Sequence, residues 1–183
     1  MNLFFLDLDP KNCAKYHCDK HVVKMILEIV QMLYTAHNVL GTKNLPRNGY
    51  RSFNPHHPTA VWIRLCDENY TYAVTVADEL AKEYQFRYNK VHSCEKHVDW
   101  LKDNKPVFKE TPDPYKNSTK TVHLRPIPGM TCVPLAMPGD VMKDDPIKSY
   151  RSYYNVYKKR FARWTNRPTP PWFLPIQIQL FFN

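Results

Sequence analysis

Glycine is nearly missing from this chain, with four in 183 residues. No G-x-x-x-x-G-K-[ST] loop and no G-x-G-x-x-G is present, so neither a P-loop nor a dinucleotide fold is expected. The cysteines number five, at positions 13, 18, 66, 94 and 132. Their odd count, irregular spacing and lack of a C-x-x-C pair argue against a disulfide framework and a zinc ribbon. Reduced thiols in a cytoplasmic, intracellular compartment are the expectation. No apolar run approaches the ~18 residues of a membrane span, so no membrane partner is expected. The opening NLFFLDLDP is too short and too acidic for a secretory signal. Internal repeats and low-complexity segments are also missing.

What is present is an apolar share of 43%, twelve Tyr, nine Phe, four Trp and a formal net charge of +9. That length and apolar content suit a single domain over residues 1–183. A basic chain rich in Tyr and Arg suits DNA or a nucleotide as partner. No protein partner is inferred.

Residues 11–40 organise the rest. Asp9 and Pro10 form a helix start, Gly41 a stop. Between Val22 and Tyr34 only Lys24, Glu28 and Gln31 are polar, so a helix here is apolar nearly all round and should be buried. The exceptions are ordered. His17, His21, Lys24, Glu28, Gln31 and Thr35 follow steps of four and three, which align them on one face. Unpaired buried charge is costly. The stripe is therefore either an internal ion-pair seam or the wall of a polar cleft, and its His, Lys and Glu content favours the cleft.

Along the chain, residues 2–8 are a short apolar segment, extended or a strand. The loop from Thr42 to Pro58 carries Arg47, Tyr50, Arg51, His56 and His57. A second helix is expected from Pro58 or Thr59 to about Val91, with a break near Asn69, and Glu79, Glu83 and Arg87 on it as surface ion pairs. A third covers Cys94 to Asp103. Residues 104–146 hold eight prolines and no helical period, which predicts a long arm or lid. A final helix, 146–164, presents an aromatic stripe (Tyr150, Tyr154, Tyr157, Phe161, Trp164) and a basic face. LPIQIQLFFN alternates like a strand. The fold class expected is mainly α, a bundle around the buried helix at about 11–40, with terminal short strands left open.

Two chemistries compete on the stripe. Lys24 before Glu28 is a coupled pair in which a deprotonated amine can attack a sugar C1′ while the carboxylate stabilises the developing cation. His17 and His21 can move protons. Against this, His17 and His21 form an H-x-x-x-H pair that can hold zinc. It lacks the zincin glutamate, and Lys20 and Lys24 repel a cation. No metal and no cofactor are expected.

Several motifs resemble the pyrimidine-dimer DNA glycosylase family of phages and bacteria. They are the apolar start, the His- and charge-bearing helix, Gly49-Tyr50-Arg51 with His57-Pro58, Glu83-Tyr84 with Arg87-Tyr88, and Arg167-Pro168-Thr169 with Trp172-Phe173. The His17-to-Glu28 segment, HCDKHVVKMILE, also resembles uncharacterised phage and large-virus proteins. The resemblance implies an all-helical fold, damaged-DNA binding, DNA repair, an amine nucleophile and a first-helix glutamate, for which Glu28 is the nearest equivalent. It also implies a virus-infected host cell as one setting. The family uses the amine of a small residue exposed by Met removal. Residue 2 here is Asn, whose size leaves Met1 in place, so the nucleophile is the Met1 amine, Lys24 or neither.

The site expected is Glu28, Lys24, His21 and His17 for chemistry, with Lys20, Arg51, His57, Tyr150, Arg151, Lys158 and Arg163 contacting the nucleic acid. The function expected is an N-glycosidase, a DNA glycosylase acting on a modified or damaged base. The alternative is a non-catalytic viral protein that sequesters a nucleotide or nucleic acid.

Overall fold

A computed structural model describes residues 1–114, 116, 121–122 and 128–174. Among these the protein is mainly helical: α1 (Pro10–Tyr16), α2 (Asp19–Leu40), α3 (Pro58–Ile63), α4 (Asp67–Tyr88), α5 (Glu95–Asp103) and α6 (Pro146–Tyr153). The last runs on into a π-helical turn, Tyr154–Lys158. Two two-residue strands, β1 (Thr121–Val122) and β2 (Val133–Pro134), pair antiparallel with Val122 opposite Val133. Of the two forms expected for residues 2–8, strand or extended segment, the chain takes the extended one, with Leu3, Phe4, Phe5 and Leu6 buried in the core. The alternating end of the chain, 175–183, lies outside the described residues.

The helix expected at 11–40 is two helices. Its start and stop are as read: Asp9 caps the Lys11 and Asn12 amides, and Gly41 closes α2 at φ 81°, a conformation glycine adopts without penalty. The break falls at His17 and Cys18, both extended. The cause lies far away in sequence. Arg87 on α4 donates to the Lys15 carbonyl at the end of α1 (2.9 Å) and to Asp19 Oδ1 at the start of α2 (2.8 Å). His17 Nδ1 adds a bond to the Cys13 carbonyl.

α2 packs against α3, α4 and α5, and α1 packs against α4. Its burial is less complete than its composition implied, since Val23 and Val39 are 44% and 48% exposed. The second helix does break, slightly before Asn69. Asn69 Nδ2 donates to the Trp62 carbonyl, and Arg64 donates to Ala60 and Pro55 carbonyls, ending α3.

The proline-rich arm is mostly exposed over residues 104–114 and joins the core farther on. Met130, Cys132, Val133, Leu135 and Val141 are buried in it. The final helix is shorter than expected. After the π turn the chain turns back, and Trp164 Nε1 donates to the Tyr16 carbonyl (3.0 Å). Among the described residues no helix is long and apolar enough to cross a membrane.

Candidate functional site

Glu28 sits in the middle of α2 with its side chain 11% exposed. Its two oxygens face two different amines. Oε1 is 3.0 Å from Lys24 Nζ, one helical turn back. Oε2 is 3.7 Å from the Met1 amine. The Asn2 N–H also donates to Oε2, at 2.9 Å. One carboxylate thus joins a helix side chain to the beginning of the chain.

Burial of the apolar segment explains how Met1 gets there. Leu3 to Leu6 are held in the core, which draws residues 1 and 2 against α2. Asn2 completes the clamp. Its Nδ2 donates to the Ala136 carbonyl (3.0 Å), and its Oδ1 accepts from Leu3 N (2.9 Å) and Tyr150 OH (3.1 Å). The Met1 side chain is 2% exposed while the residue as a whole is only half-buried. The exposure therefore lies on its backbone, where the amine is.

His57 forms a second wall. Its Nδ1 accepts the Thr59 N–H and caps α3, so the neutral ring carries its proton on Nε2. Burial holds its pKa below the ordinary histidine value; the Met1 amine lowers it further and Glu28 opposes. Both groups therefore lie within electrostatic reach of the ring. The loop reaching His57 is strung along α2. Asn38 Nδ2 donates to the Tyr50 carbonyl, and Thr35 Oγ1 accepts the Phe53 N–H. Gly49 lies so close to Tyr34 that a Cβ would stand 2.8 Å from its ring.

A basic and aromatic flank lies on the N-terminal side. His21 stacks on Phe4 (centroids 4.7 Å apart) and bonds Tyr154 OH through Nδ1. Burial drives its pKa down to about 3, with help from the positive fields of His17, Lys158 and Lys24. Lys158 Nζ donates to Tyr153 OH and lies 4.4 Å from that ring's centroid. Lys20 Nζ lies 5.1 Å from the Phe161 ring, a favourable cation–π distance. Lys20 and Lys24 are exposed.

The expected site residues therefore separate. Glu28 and Lys24 come together with Met1, and His57 lies within electrostatic reach of Glu28 and the Met1 amine. His21, Lys20 and Lys158 flank them. Arg51 is exposed on the loop, and Arg163 is exposed near the start of α2, where its carbonyl accepts the Asp19 N–H. Three others are placed elsewhere. His17 is fully buried beneath the site, its Nε2 without a hydrogen-bond partner, and burial drives its pKa to about 4. Tyr150 is fully buried and reaches the site only through Asn2. Arg151 donates to the Leu6 carbonyl and Asp7 and lies against the Tyr16 and Trp172 rings. These contacts make it a clamp on the N-terminal segment, not a free phosphate ligand.

The surface ion pairs expected on α4 are also different. Glu83 and Arg87 are 4% exposed each and belong to a network with Arg167 and Asp19. Glu83 accepts from Arg87 Nε (2.7 Å) and from Arg167 Nη2 (2.8 Å). Burial raises its pKa, yet the two guanidiniums together hold it below the usual carboxylate value.

Sequence reasoning missed Asn2 and Tyr153. An apolar run of buried character at positions 3–6 was the available sign that residues 1 and 2 would be pinned to the core. Tyr153 carried no comparable sign. Among the described residues no group of three or more His, Cys, Asp or Glu side chains is arranged to hold a metal. The chain matches no family model, no curated protein and no solved structure.

Proposed function

We propose that the protein is an N-glycosidase acting on DNA, a glycosylase with lyase activity toward a modified or damaged base. One observation carries this reading: a single half-enclosed carboxylate, Glu28, stands between the Met1 amine and the Lys24 amine. Guanidiniums would only bind there. Amines can lose a proton and attack carbon.

In the reaction, the neutral amine's lone pair forms a bond to the sugar C1′. The C1′–base bond breaks, and its electron pair leaves with the base, which takes up a proton. Glu28 stabilises positive charge developing at C1′. The amine then loses one proton to Glu28, the adjacent acceptor. Its lone pair forms the C1′=N bond as the C1′–O4′ bond breaks with its electron pair on O4′. O4′ takes the proton back from Glu28, leaving an open sugar joined to the amine as a protonated imine. Met1 is the better nucleophile of the two by class, because α-amines are less basic than lysine ε-amines by more than two units. Asn2 holds Met1 in place through its four hydrogen bonds. Lys20, Lys24, Lys158, Arg51 and Arg163 supply cations for the phosphates, which set affinity without reading sequence.

Borohydride trapping on DNA with an abasic site tests this directly. The expected result is a covalent adduct that maps to the peptide containing Met1. An adduct on Lys24 would move the nucleophile one turn along the helix. DNA binding with neither adduct nor base release would overturn the enzyme and favour a protein that sequesters its ligand.

A further inference from the structure

Phe53 is 50% exposed, and its backbone is unusually well fixed for a loop residue. Its N–H donates to Thr35 Oγ1 at 3.0 Å, and its carbonyl lies 3.3 Å from the same hydroxyl. Thr35 is itself fully buried on α2 and donates to the Gln31 carbonyl. The next residue, Asn54, takes a left-handed conformation (φ 47°), and its carbonyl accepts the His57 N–H. The chain therefore turns sharply straight after Phe53 and delivers His57 to the site. Arg51, two residues earlier, is exposed and has no ion pair among the described residues.

A single exposed apolar side chain needs no explanation by itself. Here three further facts accompany it. Its anchor is a side chain of the same helix face that bears Glu28. The ring makes no aromatic contact among the described residues. An exposed cation without an ion pair among the described residues, Arg51, lies two residues before it in the chain. Thr35 lies seven residues beyond Glu28, about 10 Å along the helix axis at ~1.5 Å per residue. That distance is about three steps of a stacked strand at ~3.4 Å each. An exposed aromatic side chain whose backbone is anchored at that level of the helix, with a cation two residues away in the chain, matches the way single strands are held: bases stack on rings while phosphates meet Arg or Lys.

We propose that Phe53 is a stacking platform for a base on the flanking strand, about three positions from the reacting nucleotide, and that Arg51 meets a phosphate next to it. This rests on the nucleic-acid reading above and adds a direction: the strand runs from Glu28 along α2 toward its C-terminal end. Phe53 is a positioning residue in this scheme and does not touch the reacting atoms.

The test is equilibrium binding, by fluorescence anisotropy, of a single-stranded oligonucleotide with one abasic site. Phe53→Ala should weaken binding roughly 5- to 150-fold, the effect of losing one stacked base. Phe53→Trp should restore it and Phe53→Leu should not. The loss should persist across salt, whereas Arg51→Ala should lower the salt slope by about one. Replacing the flanking bases by abasic linkers should erase the difference between wild type and Phe53→Ala, which a merely structural role for the ring would leave intact. Wild-type binding with an unchanged Phe53→Ala, or full rescue by Leu, overturns the platform and leaves the glycosylase reading standing. No binding by wild type overturns both.

Discussion

Two glutamates in this protein sit on long helices, 8% and 4% exposed, and each meets two cationic groups. Around Glu83 the partners are Arg87 and Arg167, guanidiniums that hold their charge at any physiological pH. Both carboxylate oxygens are taken at 2.7–2.9 Å, and Arg87 has no exposed side-chain surface. That cluster is closed, and it ties α1, α2, α4 and the segment around Thr165 together. Around Glu28 the partners are amines. One is at 3.7 Å and one is 69% exposed. The same acid is a saturated fastener among guanidiniums, and among amines, which can give up a proton, it has the surroundings that the proposed chemistry requires.

The largest effect expected is on turnover. Glu28→Gln keeps an oxygen for the Asn2 N–H but loses the charge, and base release should fall about 10²- to 10⁴-fold with DNA affinity retained. Single-turnover kinetics would show it, and unchanged turnover would remove Glu28 from the chemistry. The matching change in the other cluster acts on folding. Glu83→Ala leaves the buried Arg87 Nε–H without its acceptor while Asp19 still holds Nη1, and should cost about 1–3 kcal/mol of stability, read by denaturant unfolding. If both variants lose stability equally, the contrast between fastener and reactive centre fails.

The buried histidines beneath the reactive centre give the next effect. His17 and His21 titrate near 4 and 3 in the folded protein, chiefly because burial disfavours the charged ring. Unfolded, each should titrate near ~6.5. The unfolded chain then binds more protons across that window, so stability is full above about pH 6.5 and falls as the pH drops toward 4 and 3. The slope should be about 1.4 kcal/mol per pH unit for each ring. His17→Phe should remove one proton's worth of that slope in urea titrations between pH 6.5 and 4.

Smallest is Lys24→Met. An i, i+4 pair with an exposed lysine contributes about 0.3–0.5 kcal/mol, so melting should barely move and the covalent adduct on Met1 should persist. Loss of the adduct would transfer the nucleophile to Lys24.

Much of the local architecture could be read in advance because it is local physics. Asp9, Pro10 and Gly41 set the ends of the first helical region through capping and backbone conformation. The helical class followed from periodicity. Lys24 and Glu28 pair because four residues is one turn. What could not be read is what distant residues do. The break at His17 and Cys18 is held by Arg87, which lies about seventy positions away. Arg151 was a plausible phosphate ligand by type and position, and only the structure shows its Nε and Nη2 engaged by the Leu6 carbonyl and Asp7. Glu83 and Arg87 read as a surface pair because spacing reveals proximity and says nothing about burial.

By itself the sequence determined that this chain is helical, basic and aromatic, with an ionisable stripe on its most apolar helix. Periodicity, capping and composition act over a few residues and need no partner. Tertiary structure alone decided that the Met1 amine meets Glu28, that Asn2 clamps it, and that His57 comes within electrostatic reach of both. Those contacts follow from burying residues 3–6 in a core assembled from the whole chain. Burial of apolar surface is non-directional. It fixes where a segment goes only when every other segment is in place.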